Sequence, residues 1–332
     1  MIVEDLDTIR ARLDSDVDRL HPFMRRVLAH QNMGEADLVK YFRTVTDHAR
    51  ELALNPPSAT QFAGEEVREI HKIWLTNLSS PAEPPAHYID AYTEYARKYS
   101  ADGWRFTLWV QDESAIKSVC DGIRSSEVPL DIKVISQHLS AGQWLDSFNK
   151  FIEDRKFPFA ADILRMKILH TFGGIYMDLG AFLTDLNVMK FVTANFDYGL
   201  IYWENLFFQN SLMYMRKGNP VGSAFLELAD DPYLMPKSLV DPLDALTEGE
   251  IFSGLGVTII LLTLSKSHAR TFPFLANGNL VSWSSQQSWY FNENGQRGRF
   301  GNTYVPESKP SILTEDGWDR KSTTIFDVVN TG

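Results

Sequence analysis

The sequence predicts an α/β fold: a mixed sheet with helical crossovers, preceded by a small helical region. Apolar residues recur at helical spacing as far as about Leu54, and the Pro/Gly/Ser-bearing stretch "NPPSATQFAGEE" then interrupts the pattern. Beyond it, short β-rich runs alternate with helical ones, as expected of strands joined by helical crossovers.

In the N-terminal region Leu6, Ile9 and Leu13 are followed by Val17, Leu20 and Met24, then Val27 and Leu28, and Pro22 bends or divides the segment. "MGEADLVKYFRTVTDHARELAL" reads as another helix with Leu38, Phe42, Val45 and Ala49 on one face. The linker sets residues 1–60, helical, apart from an α/β unit over residues 67–332. In that unit "IHKIWL", "WRFTLWV" and "DIKVISQ" read as strands, with a helix from about Tyr88 to Tyr99 and another after Asp112. A helix from about Ala160 to Thr171 packs through Ala160, Leu164 and Ile168 and stops at Gly173-Gly174. "GIYMDLGAF" is a strand running into a turn. "FDYGLIYWENLFFQNSLMYMRKG" gives strands and loops, and "NPVGSAFLELAD" a short helix. "VTIILLTL", Val257 to Leu264, is too short to span a bilayer and reads as buried. "NENGQRGRFGN" reads as a mobile loop suited to a lid.

Length and composition narrow the function. A chain of 332 residues holds one large α/β domain with an appendage, or two domains. A net charge of −11 without a long basic run argues against a nucleic-acid partner. The single cysteine, Cys120, forms no intrachain disulfide and suits a reducing compartment or indifference to redox state. "MIVEDLDTIRARL" is acidic and lacks the apolar core of a secretory leader, so the expectation is a cytoplasmic chain without a transmembrane segment. The histidines show no HExxH spacing, and GxSxG, P-loop and strand-following GxGxxG patterns are absent.

The chemistry concentrates in "AADILRMKILHTFGGIYMDLGAFLTDLN", residues 160–187. Asp162 and Arg165, at i and i+3, share one helix face, where a carboxylate and a guanidinium reach the same polar ligand. Asp178 follows a strand at the edge where α/β sheets present their ligand sites. Taken singly, each has an ordinary explanation: a solvated ion pair for Asp162 and Arg165, a turn former for Asp178, a helix cap for the glycines, a core aromatic for Trp74.

Taken together, the block resembles the sugar-binding region of glycosyltransferases with a DXD motif, a superfamily that includes yeast-type α-mannosyltransferases and the glucosylating domains of clostridial toxins. Asp162, Arg165, Gly173, Gly174, Tyr176 and Asp178 match its pattern. "IHKIWLTNLSSPAEPP", with His71 and Trp74, resembles the family's first strand, "WRFTLWVQD" the next, and "FSGLGVTIILL" a later Gly-rich turn. The resemblance runs from about Glu69 to Trp318. It implies a GT-A type fold, a nucleotide-sugar donor, UDP-linked in toxin-like relatives, and retaining transfer of a hexose, glucose or N-acetylglucosamine, to a hydroxyl-bearing acceptor. That acceptor could be a protein, a glycan, a lipid or a small natural product. Toxin-like relatives also raise delivery into a host cell, which no signal in the chain encodes.

The resemblance also implies roles. Trp74 stacks on the base, Asp162 and Arg165 bind the transferred sugar and phosphate, and Asp178 contacts ribose or sugar hydroxyls and a metal-bound water. Trp318, or else Trp289, donates its indole N–H to the diphosphate. Family members carry a second Asp two residues after the first, which holds Mn²⁺ or Mg²⁺; here that position is Gly180. Three accounts of Gly180 stand. Asp185, Glu204 or the C-terminal tail supplies an oxygen; Arg165, Arg320 or Lys321 neutralises the diphosphate instead; or the protein is a catalytically inactive sugar-nucleotide or glycan-binding relative. An interaction module built on the N-terminal helices is a further alternative.

Overall fold

The structure, a computed structural model, describes residues 2–18, 34–58, 67–155, 157–202, 208–228, 270–275, 280–283, 289–291 and 297–299. Two antiparallel-packed helices open it, α1 (Ile2–Val17) and α2 (Glu35–Leu54). The apolar stripes read from the sequence are the ones that pack: Leu6, Ile9 and Leu13 are buried with Leu38, Phe42, Val45 and Ala49. Ion pairs such as Arg10–Asp47 (2.8 Å) and Arg50–Asp7 (2.5 Å) line the solvent side, where each contributes little.

The α/β part follows in the order β1 (Glu69–Trp74), α3 (Ala86–Tyr99), β2 (Arg105–Val110), α4 (Lys117–Ser125), β3 (Leu130–Val134) and α5 (Ile135–His138). Then come α6 (Gln143–Glu153), α7 (Phe157–Phe172), β4 (Gly174–Met177), β5 (Ala181–Leu183), α8 (Val188–Asn195), β6 (Tyr198–Tyr202), β7 (Phe208–Met215) and α9 (Pro220–Leu228). The last described strands are β8 (Thr271–Leu275), β9 (Val281–Trp283), β10 (Trp289–Phe291) and β11 (Arg297–Arg299).

A seven-stranded sheet in the order β3-β2-β1-β4-β7-β6-β8 is the framework. All of it is parallel except β7, which runs antiparallel to both β4 and β6. The chain thus builds outward from β1 through β2 to β3, then returns to place β4 on the other side of β1. That reversal makes the carboxyl ends of β1 and β4 a topological switch point, where open α/β sheets form their ligand crevice. Trp74 ends β1, and Asp178 directly follows β4.

The N-terminal helices sit at the far edge of the same sheet. Tyr41 donates to Thr271 Oγ1 on β8 (2.9 Å), Tyr202 on β6 donates to buried Asp16, and Phe42 meets Tyr202 edge-on at 5.2 Å.

Several expectations are refined. "ISQ" is helical rather than the end of a strand, and α6, carrying buried Trp144, Phe148 and Phe151, is an element the periodicity reading passed over. In "NENGQRGRFGN" residues 297–299 are a strand paired with β10, so that part is a hairpin arm rather than a loop. Val257 to Leu264 and the Gly-rich turn of "FSGLG" lie outside the described residues.

Gly173-Gly174 does more than stop a helix. Gly173 closes α7 by donating to Leu169 O (2.8 Å) at φ +72°, and Gly174 has φ +102°. A Cβ on Gly174 would stand 2.5 Å from Glu69 O, and one on Gly173 2.8 Å from Lys217 N. Only glycine lets β4 start this close to β1. Buried His71 fixes the junction from β1: Nε2 donates to Gly173 O (3.0 Å) while Nδ1 accepts from Trp109 Nε1 (3.2 Å). Those two partners select the neutral ring.

Burial pushes the His71 pKa down to about 4, against the raising influence of Glu69. A depressed histidine contributes stability that is present above its ordinary value of about 6.5 and lost as pH falls towards 4. The gap in urea-unfolding free energy between wild type and His71→Asn is therefore expected to narrow by about 2 kcal/mol between pH 6.5 and pH 4. A gap independent of pH overturns this account of the junction.

Candidate active site

The site is assembled by three elements. Helix α7 carries Asp162 and Arg165, the end of β4 carries Tyr176 and Asp178, and β7 lies beside β4 with Asn210. In register, His71 on β1 stands beside Tyr176 on β4, so β4 delivers the Tyr176 ring to the sheet face covered by α7.

Arg165 is the hub. Its Nε donates to Ala161 O (3.2 Å), Nη1 to Asn210 O (2.7 Å), and Nη2 pairs with Asp162 Oδ1 (3.0 Å). Nη1 also lies 3.5 Å from Asp178 Oδ1, and the guanidinium carbon sits 4.5 Å from the centre of the Tyr176 ring. Burial alone would weaken the guanidinium's hold on its proton, but Tyr176, Asp162 and Asp178 together outweigh that and raise its pKa.

The two carboxylates differ. Asp162 is buried, its Oδ1 accepting from Asn210 Nδ2 (2.7 Å) as well as from Arg165, while Oδ2 has no partner among the described residues. Burial pushes its pKa up to about 6; Arg165 opposes the rise and Asp178 adds to it. Asp178 has a side chain 45% exposed. Its Oδ1 accepts from Tyr176 OH (2.6 Å) besides facing Arg165, which leaves Oδ2 as the oxygen without a partner among the described residues.

The turn that follows is also fixed. Asp178 N donates to Ser211 O (2.7 Å), and Ala181 N donates to Asp178 O (2.9 Å). From below, buried Lys72 donates to Asp178 O (2.7 Å), Leu179 O (3.1 Å) and Ala181 O (2.7 Å).

Trp74 is half-buried at the end of β1, and its indole N–H donates to Ala82 O (2.9 Å) in the following loop. That loop is tied down by Ala82 N to Thr76 Oγ1 (2.8 Å) and Thr76 N to Gln111 Oε1 (2.7 Å). The ring is thus held by its edge.

Of the residues singled out in the sequence, Asp162, Tyr176 and Asp178 each contact Arg165, Tyr176 also bonds Asp178, and Trp74 ends β1 at the same end of the sheet. Asp185 Oδ1 caps its own turn, accepting from the Asn187 backbone N–H and from Nδ2 (both 2.9 Å). Trp289 lies on β10, while Glu204, Trp318, Arg320 and Lys321 fall outside the described residues. Among the described residues no group of three His, Cys, Asp or Glu side chains gathers as a metal cage. A divalent cation here would find one exposed carboxylate, that of Asp178, which fits Mg²⁺ or Mn²⁺ only if phosphate and water complete the shell.

Sequence reasoning missed Asn210 and Lys72. Both left a signal: polar residues inside otherwise apolar strands, "FFQNSLMYM" and "IHKIWL".

Residues 85–190, about a third of the chain, match the family described as a glycosyltransferase sugar-binding region containing a DXD motif. The stretch includes Asp162, Arg165, Tyr176 and Asp178, whereas Trp74 and Trp318 fall outside it. Among solved structures, the PaToxG glycosyltransferase is 17% identical, with 73% of this chain and 79% of that one covered at a TM-score of 0.46. The UDP-bound glycosyltransferase domain from the YGT toxin is 9% identical, with 65% and 80% covered at a TM-score of 0.42. No curated protein matches the chain.

Replacing the hub should cost more than neutralising its buried partner. Arg165→Lys, which loses the planar fork and leaves Asp162, Asp178 and the Asn210 carbonyl to one ammonium, is expected to lower unfolding free energy by about 3 kcal/mol. Asp162→Asn is expected to cost about 1 kcal/mol or less at pH 8. The raised pKa means that the wild-type carboxyl contributes stability below about 4 that is lost as pH rises through 6. Urea titrations at pH 8 in which Asp162→Asn is the more damaging variant contradict this ordering.

Proposed function

We propose that the protein is a retaining glycosyltransferase that takes a hexose, glucose or N-acetylglucosamine, from a UDP-linked donor and transfers it to a hydroxyl-bearing acceptor. The observation that carries this reading is the pair of carboxylates organised by Arg165 at the switch point of the sheet, one of them with a buried oxygen lacking a partner among the described residues. A buried acceptor without a donor is costly, and a sugar hydroxyl supplies one. In this assignment residues 67–332 form the transferase unit, of GT-A type, and residues 1–60 are a helical region seated on its sheet edge.

Each side chain has a part in donor binding. Trp74, held by Ala82, offers its face to the uracil ring; Asp162 Oδ2 accepts from a hexose hydroxyl. Arg165, with its side chain 6% exposed, acts chiefly by setting the two carboxylates and keeping the local charge from becoming strongly negative. Asp178 Oδ2 faces the ribose or the diphosphate and would hold Mn²⁺ or Mg²⁺ there, directly or through water. When bound, that cation supplies positive charge to the departing diphosphate. Trp318 or Trp289 would add an indole N–H on the phosphate side. In retaining transfer the leaving diphosphate takes the acceptor's proton, so the chemistry does not require a separate general base.

Gly180 supports a second reading, a relative that binds sugar nucleotides without turning them over. The turn Asp178–Ala181 presents one carboxylate where the family pattern has two.

Calorimetric titration of UDP, UDP-glucose and UDP-N-acetylglucosamine, with and without Mn²⁺, tests the donor assignment. Binding is expected for wild type, strengthened by the metal, and weakened roughly 5- to 150-fold in Trp74→Ala, the worth of about 1–3 kcal/mol of base stacking. Absence of binding to all three sinks the UDP-sugar reading. Binding without donor hydrolysis in wild type, together with hydrolysis in Gly180→Asp, supports the second reading.

A further inference from the structure

Lys72 is completely buried, on the face of β1 that also carries Ile70 and Trp74 and that packs against α3. An ammonium in such a place costs several kcal/mol unless every N–H is matched. Here each is matched: the three acceptors are main-chain carbonyls of one turn, Asp178, Leu179 and Ala181. Burial pushes the Lys72 pKa well down; the three carbonyls oppose that by favouring the ammonium, because a neutral amine has two N–H groups and a lone pair and cannot serve all three oxygens. The faces of Phe182, 3.9 Å from Nζ to ring centre, and Tyr92, 5.1 Å, complete the cage.

The cage has a specific beneficiary. Leaving β4, the chain turns through residues 178–180 into β5, and this presents the carbonyls of 178, 179 and 181 to Lys72, Asp178 O also accepting from Ala181 N (2.9 Å). Without Lys72 the turn keeps the Ala181 N–H to Asp178 O bond but loses the donor to Leu179 O and Ala181 O, which would then seek water and pull the turn outward. The Asp178 carboxylate would then leave Tyr176 OH and Arg165.

We propose that Lys72 is the positioning residue of this site: its buried ammonium locks the Asp178–Ala181 turn and thereby aims the Asp178 carboxylate. It touches no substrate and acts through Asp178. The proposal rests on the reading of this turn as part of a sugar-nucleotide site, and its test separates the two.

Two measurements on the full chain decide it. In hydrogen exchange, the peptide spanning residues 178–183 is expected to exchange at least tenfold faster in Lys72→Met, with β2 and β3 unchanged, and Lys72→Arg, which keeps charged donors, to recover part of the protection. In titrations with UDP-glucose and Mn²⁺, Lys72→Met is expected to weaken binding tenfold or more in wild type but less than threefold when Asp178 is already Asn. A packing role alone predicts equal losses in the two backgrounds, and that result, or unchanged exchange at the turn, overturns the proposal. If Lys72→Met does not fold, Phe182→Leu, which removes the nearer aromatic face, carries both measurements with smaller effects of the same pattern. Wild type that binds no UDP-sugar sinks the donor reading alone, because the exchange experiment still decides whether Lys72 holds the turn.

Discussion

A guanidinium taken out of water must find acceptors for a planar fork of N–H groups, and Arg165 finds them on three different segments of chain. Ala161 lies on its own helix, Asn210 on β7, and Asp178 beyond the end of β4. The cation therefore cannot be satisfied unless α7, β4 and β7 are docked in their native arrangement. The same contacts give Asp162 and Asp178 a common counter-charge, so two carboxylates can face one crevice without driving each other apart. Stability and the placement of the two carboxylates are one problem here, solved by one side chain.

That solution depends in turn on how closely β4 lies against β1. The positive φ angles at Gly173 and Gly174, and the missing Cβ atoms that would meet Lys217 N and Glu69 O, let the strand begin directly after α7. His71 ties Gly173 to β1, and Trp109 ties His71 to β2. A chain of buried hydrogen bonds thus runs across the parallel half of the sheet to the residue that opens the site strand. Fixed dipoles in a dry interior are what keep such a crevice in one geometry before any ligand arrives.

Much of this was legible in the sequence, for identifiable reasons. Leu6, Ile9 and Leu13 facing Leu38, Phe42 and Val45 could be read because surface helices bury one stripe and the period shows it. Asp162 and Arg165 could be paired because i and i+3 are neighbours on any helix. Contacts between elements were not legible: Asn210 lies 48 residues from Asp162, and Lys72 106 residues from Asp178, so only the strand order brings them together. Their signal was the oddity of a polar residue in a buried strand, which marks that something must be satisfied without saying what. The short α6 went unread because its aromatic spacing lies between two stronger patterns. The strand at 297–299 was hidden by glycines and polar residues that read as loop.

Charge also explains how Gly180 sits within this arrangement. Around the turn stand two basic groups, Arg165 and Lys72, and two carboxyl groups; burial pushes both Lys72 and Asp162 towards their neutral forms, while the three carbonyls on Lys72 favour its ammonium. The described residues of the site are thus close to neutral, or slightly positive when Asp162 carries its proton. A second carboxylate at position 180 would tip the balance negative, and the diphosphate of the proposed donor would then gain from a divalent cation between. With glycine there, the charges of the described residues roughly balance, so an anion would meet no strong repulsion from them and a cation would add attraction. If the turn holds a nucleotide-sugar as proposed, Arg165 and the lysine beneath the same turn would make a site with one carboxylate fewer less dependent on a divalent cation than a two-carboxylate site.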